Sequence, residues 1–260
     1  MQNQSIHIEI DLKTTDPVRV AEADQIANKL PKVLPNSKPL YLSFLDTHTE
    51  LRRPDAKLGN GYWVNFSAID RRLGSGNLSK KQPLSKAIGA QNTSVVDVTA
   101  GFCKDAAILA LSGYHVTAIE RSPLVSVLLR DALRRAEEDV ELWSAIGGRL
   151  KVVEGESKQI LDHLENVDVV FLDPMFPDKR KKSALPPGHI QILSHIVGKD
   201  EDATELFRKA MQMQLNRVVV KRPNYAPPMQ DQPVSVHKGK QVRYEVYKPT
   251  RKKTTQEGRF

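Results

Sequence analysis

The sequence contains a single cysteine, Cys103, in 260 residues. One cysteine excludes an intramolecular disulfide framework and is typical of proteins in a reducing cytoplasm. The chain also lacks an apolar run that approaches the roughly 20 residues of a membrane span. Its start, MQNQSIHIEIDLK, lacks the basic and apolar regions of a secretory signal. We therefore expect a cytoplasmic protein that does not associate with a membrane.

Acidic residues are in deficit, with 31 Asp and Glu against 39 Lys and Arg, which gives a net charge of +8. The basic excess is clustered in the run KRKK at 179–182 and in the stretch from 237 to 260. Such clusters are typical of proteins that bind a polyanion such as nucleic acid. A basic tail can also serve solubility alone.

The pattern of strands and helices changes near residue 91. Residues 1–90 predict a small, partly β N-terminal lobe, with strands at 5–12, 39–44 and 62–66 and a helix at 17–30. Residues 91–250 alternate strand and helix, which predicts an α/β domain with a parallel sheet and helices on both faces. Residues 251–260 form a basic C-terminal tail.

Residues 168–177, DVVFLDPMFP, read as a buried strand that ends in Asp173, followed by Pro174 and Phe176. Ligands bind beyond the carboxyl ends of parallel strands. The amino group of a base is a poor nucleophile until a carboxylate and a backbone carbonyl accept its two N–H groups. Proline helps to fix that carbonyl, and an aromatic ring can stack on an extruded base. The segment predicts an amino-methylating loop, and a proline-containing turn is the alternative.

Acidic residues also end the three preceding strands. Asp97 and Gly101 stand where a first strand meets a helix, without the Gly-x-Gly-x-x-Gly pattern of dinucleotide enzymes. Gly101 would let the backbone pass close to a ligand, and Asp97 would face an ammonium group. Glu120 ends the second strand, where an acid commonly accepts hydrogen bonds from ribose hydroxyls. Glu156 and Ser157 follow the third strand, so the order predicts an S-adenosylmethionine site.

Cys103 lacks the Pro-Cys context of pyrimidine C5 methylation, and we interpret it as a packing residue. The seven histidines are scattered without metal-ligand spacing, so no metal site is predicted. A second strand-end loop, VVVKRPNYAPP at 218–228, is basic and aromatic. It predicts phosphate contacts and base stacking, with a rigid surface turn as the alternative. The expected RNA-binding residues are Lys179, Arg180, Lys181, Lys182, Lys221, Arg222 and Tyr225, together with the C-terminal basic run.

Five blocks carry a resemblance to a known family over residues 40–248. They are ELRRPDAKLG (50–59), DVTAGFCKD (97–105), ERSP (120–123), LDPMFP (172–177) with KSAL (182–185), and VVVKRPNYAPP (218–228). In these blocks the chain resembles the bacterial 16S rRNA guanine-N2 methyltransferases known as methyltransferase J. The resemblance implies a Rossmann-like class I methyltransferase fold with a small N-terminal lobe. It also implies S-adenosylmethionine as donor and a guanine of small-subunit rRNA as acceptor.

The resemblance also assigns roles to residues. Asp173 with the Pro174 carbonyl would orient the amino group, and Phe176 would stack on the base. The implied cofactor contacts are Lys104, Asp105, Glu120, Arg121, Glu156, Ser157 and Asp173. The chain departs from the family pattern at Cys103, where glycine is usual, at Lys104, where arginine is usual, and at Glu156, where a small polar residue is usual. Without the resemblance, adenine N6 and cytosine N4 remain open as targets, as does a non-catalytic RNA-binding role.

Overall fold

The computed structural model describes residues 7–30, 39–72, 76, 78–174 and 202–249. The N-terminal part contains β1 (Ile8–Lys13), α1 (Pro17–Ala27), β2 (Leu40–Leu45) and β3 (Thr49–Arg52). β2 is the central strand, parallel to β1 and antiparallel to β3.

The strand predicted at 62–66 is wrong, and β3 was not predicted. Tyr62 makes only an isolated bridge to Leu51, and a 3-10 turn follows at Phe66–Ala68. The Asn65 side chain accepts a hydrogen bond from Ser67 N at 3.0 Å. A side chain that bonds to the nearby backbone in this way favours a turn over a strand.

The larger part of the chain is an α/β sheet structure. Its elements are α2 (Pro83–Ile88), β4 (Ser94–Asp97), α3 (Lys104–Leu111), β5 (His115–Glu120), α4 (Pro123–Glu138), α5 (Val140–Ile146), β6 (Leu150–Glu154), α6 (Ser157–Ile160), β7 (Val169–Leu172), α7 (Ala203–Gln212), β8 (Arg217–Pro223), β9 (Ser235–Lys238) and β10 (Val242–Tyr247). The strand order is β6-β5-β4-β7-β8-β10-β9. β10 runs antiparallel to β8 and β9, and the other pairs are parallel. The predicted α/β fold is confirmed, with one reversed strand.

Successive residues of the central strands face opposite sides of the sheet, as the two-residue period of a strand requires. Val95 and Val169 belong to a core shared with α2, α3, α4 and α5. Val96 and Val170 belong to a second core shared with α7. Because both faces are covered by helices, the strands are almost wholly apolar, as in other parallel sheets.

The first core extends without a break into the N-terminal sheet through Leu42, Phe44 and Leu51. A buried carboxylate strengthens this connection. Asp131 on α4 accepts hydrogen bonds from Arg19 Nη2 on α1 at 3.2 Å and from Arg135 Nε at 2.8 Å. The predicted domain boundaries at residues 90 and 250 stay a prediction. No helix in the described ranges is long and apolar enough to cross a bilayer.

The order of the strands places a candidate site at one edge of the sheet. The connections from β4 lead to β5 on one side, whereas β7 and β8 lie on the other. A crevice forms where the direction of the connections reverses, outside the carboxyl ends of the strands. This point lies between β4 and β7, so the residues that end these two strands are neighbours.

Candidate active site

Asp97, Asp173 and Lys221 meet at the carboxyl edge of three adjacent strands. Asp97 is the last residue of β4 and pairs with Phe171 on β7. Leu172 pairs in turn with Val220 on β8. Asp173 directly follows Leu172, and Lys221 directly follows Val220, so these two residues are also neighbours. The register alone brings a carboxylate and an ammonium group together.

The Lys221 ammonium lies between two carboxylates. Its Nζ is 2.7 Å from Asp173 Oδ2 and 2.8 Å from Asp105 Oδ2 in the first turn of α3. Burial lowers the pKa of Lys221, but the charges of Asp173 and Asp105 outweigh it and hold that pKa well above its ordinary value. Lys221 is therefore a fixed cation within an acidic cluster.

Asp97 is buried beside this cluster, with 2% of its surface exposed. Its Oδ1 accepts a hydrogen bond from Thr99 N at 3.1 Å. Burial raises the pKa of Asp97 to about 8, and the nearby carboxylates of Asp105 and Asp173 add to the shift. A carboxylate in this state lacks sufficient compensating positive charge, and a ligand ammonium group would supply it.

Thr99 was not singled out in the sequence, although it links two predicted residues. Its hydroxyl accepts a hydrogen bond from Asp173 N at 2.6 Å, and its own N–H donates to Asp97. The available signal was its position two residues after Asp97, where an Asp side chain commonly bonds to the backbone. Thr99 fixes the start of the Asp173–Pro174 loop against the loop that follows β4.

The loop that follows β4 turns through two residues with positive φ. Gly101 has φ 51°, and Cys103 has φ 56° with ψ 22°, directly before α3. The left-handed conformation is costly for a residue with a Cβ, so a glycine would adopt the backbone of position 103 with less strain. Burial raises the pKa of the Cys103 thiol well above its usual value, with contributions from Asp97 and Glu120. The side chain is wholly buried, in agreement with a packing role.

The other predicted cofactor residues lie around the same edge. Glu120 is 3% exposed and its Oε1 accepts from Ser122 N at 2.7 Å. The buried Ser157 hydroxyl donates to Val98 O at 2.6 Å, which joins the start of α6 to the end of β4. Arg121 Nη1 lies 3.5 Å from Asp202 Oδ1. Lys104 and Glu156 are exposed. The assignment of all these residues to cofactor contacts stays a prediction.

The predicted RNA-binding residues are divided by their placement. Phe176, Lys179, Arg180, Lys181 and Lys182 lie outside the described residues. Tyr225 is 49% exposed, whereas Arg222 is 7% exposed and its Nη1 contacts Met229 Sδ at 3.2 Å. Within the C-terminal basic run, Arg243 is buried, and its guanidinium bonds to Glu245 Oε1 at 2.6 Å. Arg222 and Arg243 therefore lie inside the protein and not on the surface where the sequence placed them.

A ring contact that the sequence did not suggest joins the N-terminal lobe to the loop that follows β4. The Tyr62 ring lies 4.3 Å from the Phe102 ring, centroid to centroid. Phe102 stands between Gly101 and Cys103, the two positive-φ positions. Burial raises the pKa of Tyr62 to about 12, so its hydroxyl stays neutral. The N-terminal lobe thus packs directly on the loop that the sequence assigns to the cofactor.

Comparison with known proteins identifies the family. A family model for SAM-dependent methyltransferases matches residues 25–249. Ribosomal RNA small subunit methyltransferase J from Haemophilus ducreyi is 39% identical over 87% of this chain and 92% of its own length. The chain belongs to the methyltransferase J family. Another relative with this name, from Tolumonas auensis, is 37% identical over 92% of this chain and 97% of its own.

A solved structure agrees with the methyltransferase J assignment. It is the SAM-dependent methyltransferase from Neisseria gonorrhoeae, which is 28% identical, with a TM-score of 0.69 over 97% of this chain and all of the other. The chain is therefore a SAM-dependent methyltransferase with the Rossmann-like class I fold, and S-adenosylmethionine is its cofactor.

The observed residues fit this cofactor chemically. The buried Asp97 carboxylate lacks a sufficient cation and suits the ammonium group of the methionine part. The buried Glu120 carboxylate ends β5, where its oxygens suit ribose hydroxyls. The Lys221 ammonium lowers the pKa of Asp97 only in part, because it is bonded to Asp173 and Asp105. Among the described residues, no group of three or more His, Cys, Asp or Glu side chains could hold a metal ion.

Proposed function

We propose that this chain transfers a methyl group from S-adenosylmethionine to the exocyclic N2 of a guanine in 16S rRNA. Its relatives in the methyltransferase J family are named for ribosomal RNA of the small subunit. The observation that carries the proposal is the position of Asp173. Its carboxylate lies beside the loop that follows β4, and its backbone N–H is bonded to Thr99 of that loop. The amino group and the methyl donor would therefore meet at one place.

Asp173 and Pro174 would make the guanine nitrogen nucleophilic. The Asp173 carboxylate accepts one N–H of the amino group and the Pro174 carbonyl accepts the other, which turns the lone pair out of conjugation with the ring. S-adenosylmethionine, when bound, supplies a methyl group activated by a positively charged sulfur. As the new N–C bond forms, the methyl–sulfur bond would break and leave its electron pair on the sulfur. The nitrogen would then be acidic, and its proton would pass to the Asp173 carboxylate and then to water. Positioning and electrostatics supply most of the rate.

The cofactor would be held by groups along the strand ends. Asp97 binds the ammonium of the methionine part, Gly101 lets the backbone approach it, and Glu120 accepts from the ribose hydroxyls. The remaining proposed contacts are Lys104, Asp105, Arg121, Glu156 and Ser157. The exposed ring of Tyr225 supports a stacking contact with RNA near the same edge. Phe176 and the four basic residues at 179–182 complete the proposed RNA surface, and the enzyme would act on ribosomal subunits in the cytoplasm.

The proposal is tested with purified protein, tritiated S-adenosylmethionine, and 30S subunits or naked 16S rRNA from a strain lacking the matching enzyme. We expect label in N2-methylguanosine after nuclease digestion. Asp173→Ala should lower kcat by at least about 100-fold, because the amino group loses its acceptor, while RNA binding is retained.

Asp24→Ala, at an exposed position of α1, is the matched control and should keep full activity. Label in N6-methyladenosine or N4-methylcytidine would show that the base assignment is wrong. If wild-type protein does not bind S-adenosylmethionine by calorimetry and incorporates no label into RNA, the non-catalytic RNA-binding role is favoured.

A further inference from the structure

We infer that Lys221 is a positioning residue for methyl transfer, which holds the Asp173 carboxylate ionised and in one orientation relative to the cofactor loop. The inference rests on the proposed function and adds a residue to its mechanism. The sequence had assigned Lys221 to an RNA phosphate. Its contacts assign it instead to the interior of the active site.

The first argument is the geometry of the bridge. Lys221 Nζ lies 2.7 Å from Asp173 Oδ2 and 2.8 Å from Asp105 Oδ2. Both distances are those of charge-assisted hydrogen bonds. The lysine, which is on β8, thus joins the loop after β7 to the first turn of α3. Two of the three N–H donors of the ammonium are thus used by carboxylates, and the negative charge of that pair disfavours a phosphate beside it.

The second argument is that Asp173 is restrained at two points. Its backbone N–H donates to Thr99 Oγ1 at 2.6 Å, and its side chain bonds to Lys221. Thr99 belongs to the loop after β4, and Asp105 belongs to the helix that this loop begins. Both restraints therefore fix the position of the Asp173 carboxylate relative to the loop after β4 and the start of α3, which are proposed to hold the methyl donor. A carboxylate has about four acceptor sites, and the bond to Lys221 uses one of them.

The third argument is the charge of the groups around the ammonium. Asp97 on β4, Asp105 on α3 and Asp173 after β7 are all acidic. Tyr244 on β10 lies across from Lys221, and burial, together with Asp105, raises its pKa, so it stays neutral. Asp97 already holds a proton below about pH 8, so without Lys221 the carboxylates of Asp105 and Asp173 would approach each other with no ammonium group between them, and one of the two would take up a proton. A protonated Asp173 would donate a hydrogen bond where the reaction requires an acceptor.

The test compares Lys221→Met, Lys221→Arg and Lys29→Met with wild type. The control lysine, Lys29, pairs with Glu154 Oε1 at 2.6 Å on the protein surface, and it is not among the residues proposed to contact the cofactor, the base or the RNA. The measurements are kcat and KM for rRNA between pH 5.5 and 9, the affinity for S-adenosylmethionine by calorimetry, and Tm.

We expect Lys221→Met to lower kcat about 100-fold, as a loss of alignment does. Its affinity for S-adenosylmethionine should stay within about threefold of wild type, and the acid limb of its pH profile should move to higher pH. Lys221→Arg keeps the positive charge and should therefore keep the wild-type acid limb. Its kcat should be about tenfold below wild type, because the planar guanidinium group of arginine replaces a single nitrogen. Lys29→Met should match wild type.

Three results would overturn the inference. One is a Lys221→Met protein with wild-type kcat and pH profile. Another is an increase in KM for rRNA and a weaker salt dependence at unchanged kcat, which would identify a phosphate contact. The third is a Lys221→Arg protein as impaired as Lys221→Met. If Lys221→Met does not fold, the pH profile of Lys221→Arg decides, and an acid limb displaced from that of wild type would overturn the inference. Wild type that forms no N2-methylguanosine would instead refute the proposed function.

Discussion

Replacement of Asp131 by Asn should loosen the connection between the N-terminal sheet and α4. Asp131 and Arg19 each have 2% of their side chain exposed, and they form a direct ion pair. Asparagine keeps the shape of the side chain but removes the charge, so the Arg19 guanidinium stays buried without its carboxylate. Arg134 and Arg135 also pair with Asp131, but they are 30% and 14% exposed and can turn toward water.

The expected loss follows from the burial of Arg19. Removal of one partner of a buried ion pair costs about 3–5 kcal/mol, because an uncompensated charge remains. Arg19 keeps a bond to the Leu45 carbonyl and lies 3.8 Å from Asp16 Oδ2, which favours the lower end. A loss of about 3 kcal/mol corresponds to a fall in Tm of roughly 6–12 °C for a chain of this size.

The assay is thermal and urea unfolding followed by circular dichroism. Asp70→Asn is the matched control, because Asp70 pairs with Arg72 at 2.7 Å but both side chains are well exposed. Its midpoint should not change measurably. The double variant Arg19→Met with Asp131→Leu should lose less than Asp131→Asn, since no buried charge remains. An Asp131→Asn protein with the wild-type Tm would refute the reasoning.

Two further outcomes concern the acidic edge and the cysteine. Burial raises the pKa of Asp97 from 3.8 to about 8, so the folded protein keeps a proton that the unfolded chain has already lost. The free energy of unfolding should therefore fall as pH rises from about 4 to about 8. In urea titrations at several pH values, Asp97→Asn should make this fall smaller. The same fall in Asp97→Asn as in wild type would contradict the raised pKa of Asp97. Burial also raises the pKa of Cys103, so the native thiol should react with iodoacetamide far more slowly at pH 8 than in urea. Rapid labelling of the native protein would contradict this placement.

Much of the fold could be predicted from local signals. The bounds of β5 and α4 agree with prediction because Ser122 caps α4 and Pro123 begins it. Helix α5 was missed because Asp139 ends α4 and at once caps the next helix, so no loop separates them. β9 was missed because it is a short edge strand with only a few apolar residues.

The candidate site was predicted in part. The acids at the strand ends could be read from the sequence because parallel strands bring their carboxyl ends to one edge. The partners of Lys221 could not, because 48 residues separate it from Asp173 and 116 from Asp105. Local sequence also gave no sign that Arg222 and Arg243 turn inward. Their basic character suggested a surface, whereas Glu245 supplies Arg243 with a buried partner.

The pairing of Arg19 with Asp131 has a consequence for synthesis on the ribosome. The two residues lie 112 positions apart in the chain. At about 5–20 residues per second, α1 leaves the ribosome on the order of 10 s before α4 is translated. During this interval the nascent N-terminal segment has neither its apolar partner nor the carboxylate for Arg19. A truncated chain that ends before α4 should therefore expose the apolar face of the N-terminal sheet and be insoluble.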